Sequence, residues 1–137
     1  MTAAMDLFAE FATDATSEED GVWVPYGETE FLIAMWGNRK YRARFVKLYK
    51  PHEKLLKTGS AAAETKSNEI LADVMAHTIL LGWKGKLVVE KGGEPVEYSV
   101  DAAKKALSLP KFREVITELA EDFSTFKAVK EAEDAKN

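Results

Sequence analysis

Residues 82–107 read GWKGKLVVEKGGEPVEYSVDAAKKAL, and this stretch constrains the fold more than any other in the chain. A helical pattern stops at Gly82-Trp83. A short apolar run, KLVVE, leads to Gly92-Gly93, and a second short run ends at Ser99. Glycine takes φ > 0 at no steric cost, so 91–93 is a turn between two extended segments, 86–90 and 95–98. Ser99 is a helix cap, with Asp101 in the favourable first turn. So much punctuation in so few residues has to reverse the chain. The reversal lays the segments after it against the long pattern before it, with Trp83 and Tyr98 anchoring the corner.

That earlier pattern predicts a helix over 62–81 with Ile70, Leu71, Val74, Thr78 and Leu81 as its buried stripe, ended by Gly82. A last helix starts with Ser108 as N-cap and Pro110 in its first turn. It carries Phe112, Val115, Ile116, Leu119, Phe123 and Phe126 at helical spacing. Upstream, VWVPY and residues 29–36 read as two strands around a Gly27-Glu28 turn, a hairpin with the Pro25 strand at an edge. Asn38 caps a helix whose inner stripe is Tyr41, Phe45, Leu48 and Tyr49. Pro51 should break or kink it, with a further turn to Lys57. The expected fold is therefore α+β and mainly helical. It has an N-terminal β-hairpin, a basic helix, a long central helix, a small second hairpin, a short helix and a C-terminal helix. Residues 1–20 form an acidic arm, either a short helix or disordered until bound. Residues 21–130 make a single globular domain, and 131–137 a frayed tail.

With 137 residues, one domain is expected, and it can bury about two-thirds of the surface of its unfolded chain. No run approaches the roughly 20 apolar residues that span a bilayer. The acidic start lacks the basic region of a secretory signal. Cysteine is absent, which removes disulfides, thiolate catalysis and cysteine metal sites and fits an intracellular protein. The charge is strongly segregated. Before residue 38 there are eight carboxylates and no Lys or Arg. From 38 to 57 there are eight cations against Glu53 alone. Such asymmetry pairs internally, guides a partner, or suits head-to-tail stacking of copies.

No catalytic, metal or cofactor-binding residues are expected. His52 and His77 have no third ligand at metal spacing, and a packed or solvated histidine is the ordinary reading of each. The carboxylate groups at 18–20, 118–122 and 131–134 lie in the arm or on polar helix sides, where solvated faces are the rule. Gly92-Gly93 lacks the Lys-Ser/Thr of a phosphate loop. The cluster RKYRARFVKLYK interleaves cations with aromatics as nucleic-acid binders do, but its aromatics are spaced as an inner helical stripe in an acidic chain. A solvated basic helix is the ordinary reading there; of the functional ones, nucleic acid is the weaker and an acidic or helical protein partner the stronger. The candidate partner or self-association surface comprises Arg39, Arg42, Arg44, Lys47 and Lys50, with Trp83 and Tyr98 at the corner.

In order along residues 22–126 come VWVPY, GNRKYRARF, KPHEK, EILADVMAHTILLGWKG, GGEPVEYS, AAKKAL and LPKFREVITELAEDFSTF. This succession resembles the tail assembly chaperones of long-tailed bacteriophages. The resemblance implies a non-enzymatic assembly factor that binds the tape measure protein and keeps it soluble. It also implies recruitment of the tail tube protein, through a longer frameshifted form. It implies action in the host cell cytoplasm, absence from the mature virion, self-association, and no membrane or cofactor. The alternatives are a small nucleic-acid-binding protein using 38–57 and a structural virion component.

Overall fold

The computed structural model describes residues 4–128. The tail expected at 131–137 lies outside the described residues. The fold is α+β and mainly helical, as expected. Its order is α1 (Leu7–Phe11), α2 (Ala15–Asp20), β1 (Val22–Tyr26), β2 (Thr29–Ile33), α3 (Arg39–Tyr49), α4 (Glu53–Leu56), α5 (Ala61–Thr78), β3 (Leu80–Trp83), α6 (Val100–Leu107) and α7 (Pro110–Glu121). Short 3-10 turns follow α3 at Lys50–His52 and α7 at Phe123–Phe126. No helix among the described residues is long and apolar enough to cross a membrane.

The N-terminal hairpin forms as its sequence dictates. Tyr26 pairs with Thr29, which leaves Gly27 and Glu28 as a two-residue loop. Gly27 sits at φ +58°, and a positive φ at the first loop residue matches the right-handed twist of the strands. The sheet order is β1-β2-β3, all antiparallel, so the Pro25 strand is indeed an edge.

The third strand revises the reading of the central helix. That helix stops at Thr78, and residues 80–83 pair with β2. Gly82 is therefore not a helix-ending glycine. It is a strand residue in the cross-strand row Trp23, Leu32, Gly82. A Cβ on Gly82 would stand 3.4 Å from both Trp23 Cη2 and Leu32 Cβ, so the missing side chain is what seats the indole against β3. Lys84 covers the same ring at 5.0 Å from its centre and pairs with Glu30. The expected second hairpin is reduced to a single antiparallel bridge, Leu87 with Val96, whose two hydrogen bonds are both 2.9 Å. The chain reverses there as predicted, but no strands propagate from the bridge.

Two further boundaries differ. Ser108 does not cap α7. Its hydroxyl donates back to the Lys105 carbonyl, closing α6, and Leu109 holds the N-cap position without a side-chain bond. The apolar stripe of α7 also does not run on to Phe126. Asp122 ends the helix and caps a separate turn, which leaves Phe123 exposed and inserts Phe126 into the core.

The core lies where the inner face of the sheet (Phe31, Ile33, Leu80, Trp83) meets α5, α6 and α7. Small residues, Ala72 and Ala76 on α5 and Ala102 and Ala103 on α6, are buried in it and let those two helices pack closely. Each fully buried large side chain, such as Ile33, Met75, Leu107 or Ile116, contributes about 1.5–3 kcal/mol. The second half of α5 is buried on most sides, at Ile70, Ala72, Val74, Met75, Ala76 and Thr78, as befits a central helix.

An irregular segment at 34–38 joins these layers. The Ala34 amide donates to the Ile79 carbonyl, Met35 to Glu18, and Trp36 to Ala120, at 2.9, 2.9 and 3.0 Å. Asn38, only 3% exposed, completes the junction. Its Oδ1 accepts from the Tyr41 amide and caps α3, while its Nδ2 donates to the Met35 and Thr78 carbonyls. Asn38→Ala removes a cap and leaves two carbonyls without this donor. It is predicted to cost roughly 2–3 kcal/mol in urea unfolding, and a loss below 0.5 kcal/mol would contradict the role given to this side chain.

Candidate functional site

α3 is held on α5 through one side and open on the other. Its inner side carries an aromatic series. Trp36, Tyr41, Phe45 and Tyr49 follow one another with ring centres 4.8, 6.1 and 5.6 Å apart. None of these rings is fully buried. Pro51 does not stop the helical path. The chain tightens to a 3-10 turn at Lys50–His52 and resumes as α4, so the kink at Pro51 is present and a basic, nearly continuous helical edge runs from Arg39 to Lys57.

The cations expected to act together divide into two sets. Arg39 pairs with Glu19 at 3.0 Å and ties α3 to α2. Arg44 faces α5 and donates to Asp73 at 2.7 Å. Lys104 from α6 reaches the other oxygen of Asp73 at 3.3 Å, and His77 lies 3.4 Å from the first. Burial opposes ionisation of Asp73. The hydrogen bonds from Arg44 and Lys104, with the Arg44 and His77 charges, outweigh it and hold the carboxyl below its usual range. Arg44 is thus a structural tie between α3 and α5. Arg42, Lys47 and Lys50 are exposed and have no ion-pair partner among the described residues, and neither do Lys40 and Lys54.

Trp83 and Tyr98 do anchor the corner of the chain. The rings meet edge-on at 5.0 Å. The Tyr98 hydroxyl donates to the Leu80 carbonyl at 2.8 Å, with the Ala76 carbonyl at 3.2 Å, and burial raises its pKa. Trp83 is 5% exposed, and its indole N–H has no acceptor among the described residues. Both residues fasten the 84–99 segment to the end of α5, and Trp83 presents no surface.

Two open grooves flank the α3–α5 seam, which periodicity alone could not reveal because they need both helices in place. The larger, about 580 Å³, has Leu48, Ile70 and Ala72 on its apolar floor and His52, Lys66 and Lys104 among its polar walls. The smaller, about 280 Å³, lies between Phe45, Tyr49, Leu56, Ala63 and Ile70. Ile70 lines both. The arrangement suits contact with side chains of a helix or extended chain laid along the seam.

The other groups weighed in the sequence are distributed as follows. His77 Nδ1 lies 2.8 Å from the Asp73 carbonyl in its own helix, and His52 lies in the turn at Pro51. Glu18 accepts a hydrogen bond from Thr13, and Glu19 holds Arg39. Among the described residues, no three His, Asp or Glu side chains are grouped to hold a metal ion.

A folded-state pKa depressed at Asp73 stabilises the protein above the unfolded carboxylate value of about 3.8, and the contribution is lost as the pH falls through the lower folded value. Asp73→Asn is predicted to cost about 1–2 kcal/mol at neutral pH. The variant should also lose part of the wild-type destabilisation below about pH 4. Equal acid limbs for the two proteins in a pH series of melting curves would refute the assignment.

Residues 36–137 match the model of the YdaY prophage protein family, most of the chain, and the chain belongs to that family. The match begins at Trp36, so it takes in α3 and both grooves and leaves out the acidic arm and the hairpin. No curated protein and no solved structure matches the chain.

Proposed function

We propose, from membership in this prophage family, that the chain is a non-enzymatic tail assembly chaperone acting in the host cytoplasm and left out of the finished virion. It binds and solubilises the tape measure protein, and a longer frameshifted form brings in the tail tube protein. One observation carries the reading: the paired grooves beside α3, with apolar floors and charged walls, open along a helix seam. A tape measure protein is long, helical and apolar along its length, and exposed it aggregates. Short apolar patches of that helix fit grooves of this size, while the exposed cations of α3, Arg42, Lys47 and Lys50, meet carboxylates on its polar side. Each contact is weak. Many copies on one long partner sum to tight overall binding. The resemblance of residues 22–126 to tail assembly chaperones supports the same role.

The test is co-expression with the long helical product encoded beside this gene, followed by affinity capture and size exclusion. The expected result is a soluble complex with several copies of this chain per partner. Thr65 is exposed at the wall of the larger groove, so Thr65→Trp fills the groove from its rim. That variant is expected to weaken each contact about tenfold, roughly 1.4 kcal/mol, and so to lower the yield of soluble partner. An insoluble partner beside a free wild-type chain would overturn the proposal.

A second reading rests on the unpaired cations of α3 and α4. Phosphates of a nucleic acid would satisfy them as carboxylates do. Binding to DNA or RNA that weakens steeply with salt, with Lys47→Glu and Lys50→Glu reducing it, would favour that reading over the first.

A further inference from the structure

We propose that α1 of one copy docks on the outward face of α3 in a second copy, a head-to-tail contact that does not rest on the chaperone reading. α1 has no buried residue. Leu7, Phe8 and Phe11 stand on one side of it, with Phe8 74% exposed, and among the described residues only Phe11 has an aromatic partner, stacked on Phe123 at 5.9 Å. A five-residue helix cannot be stable by its own hydrogen bonds. The arm is fastened behind it, where Asp14 donates to the Phe126 carbonyl and Ala128 to the Ala12 carbonyl. The apolar side is therefore held outward on a firm base, and Asp6 and Glu10 border it, one turn apart.

The outward face of α3 is its counterpart in shape and in sign. Val46 is 50% exposed beside exposed Ala43. Arg42, Lys47 and Lys50 surround this apolar spot, and no carboxylate of the chain pairs with them among the described residues. Within one copy, the only ion pair joining the acidic arm to α3 is Arg39 with Glu19, among the described residues. Among the described residues, Asp6 and Glu10 thus have no cation, and Arg42, Lys47 and Lys50 no anion. Every copy carries both halves of the match on different surfaces, so one contact leaves a free half at each end. A second copy is the occupant that this charge complementarity selects. The contact is small and belongs to the weak class, below about 1,200 Å².

The head-to-tail geometry has a signature that sedimentation velocity at low salt reads directly. Wild type is expected to gain mass with concentration up to about 1 mM, and to lose that mass as salt shortens the screening length. Phe8→Asp spoils the arm and Val46→Asp spoils the helix face. Both positions are at least half exposed, so both variants should keep the wild-type circular dichroism spectrum. Each alone should stay monomeric. An equimolar mixture should form dimers and stop there, since one intact arm meets one intact α3 face and the remaining halves are dead. If either variant misfolds, Glu10→Lys and Lys47→Glu take their places: each alone should stay monomeric, and their equimolar mixture, in which the two reversed charges complement each other, should assemble as wild type does. Wild type that stays monomeric, a single variant that assembles like wild type, or a mixture that stays monomeric would each overturn the proposal. None of these results bears on whether wild type solubilises the apolar partner, so the two proposals fail separately.

Discussion

The side chain of Asn38 fixes the relation between the sheet and the helices. It is buried at the one place where β2 has ended, α3 begins and α5 turns into β3. Three of its hydrogen-bonding positions are used, one each for the segment after β2, for the end of α5 and for α3. A buried amide is costly unless satisfied, so the site tolerates few alternative arrangements. The preceding residues extend the same logic, since successive amides from Ala34 to Trp36 reach Ile79, Glu18 and Ala120. An irregular segment thereby has its backbone satisfied by three different elements, and α2, α5 and α7 are placed relative to one another by it.

The placement of α3 follows, and with it the surface proposed to face partners. Asn38 sets where the helix starts, the aromatic series from Trp36 to Tyr49 lines its inner side, and Arg44 with Asp73 closes it on α5. What remains outward is a row of cations around Val46, with a groove on either side of the seam. The charge segregation of the sequence is used only in small part within the fold, through Arg39 and Glu19. Charge that a chain does not satisfy internally steers and orients partners. Under the proposed function, the grooves and the cations of α3 left unpaired among the described residues would serve repeated shallow contacts with a long partner.

Much of this architecture was legible before any coordinates. The hairpin was, because VWVPY and the Gly27-Glu28 loop carry strand and turn chemistry that needs no tertiary help. The caps at Asn38 and Ser99 were, for the same local reason. The end of α5 was not. Its apolar residues Ile79, Leu80 and Leu81 suit a buried strand as well as a helix, and only pairing with β2 decides between them. Gly82 was misread for a related cause, since the residue that needs its missing side chain, Trp23, lies far away in sequence. Of the proposed surface, Arg42, Lys47 and Lys50 are where a helical wheel puts them. The wheel could not show that Arg44 would be drawn inward by Asp73, or that Trp83 would be enclosed. The apolar set Leu7, Phe8 and Phe11 reads in the sequence as a short helix or a segment disordered until bound, and only the fold shows that they stay exposed among the described residues.

The central claim is that the seam between α3 and α5 is the surface that meets a long apolar helical partner. Hydrogen exchange of this chain, free and in complex with a tape measure protein, tests that claim most directly. The account predicts slowed exchange along α3, α4 and the first half of α5, with α7 and the 84–99 segment unchanged. Protection confined to α7 or to the outer face of the sheet, with the seam exchanging as in the free protein, would contradict it.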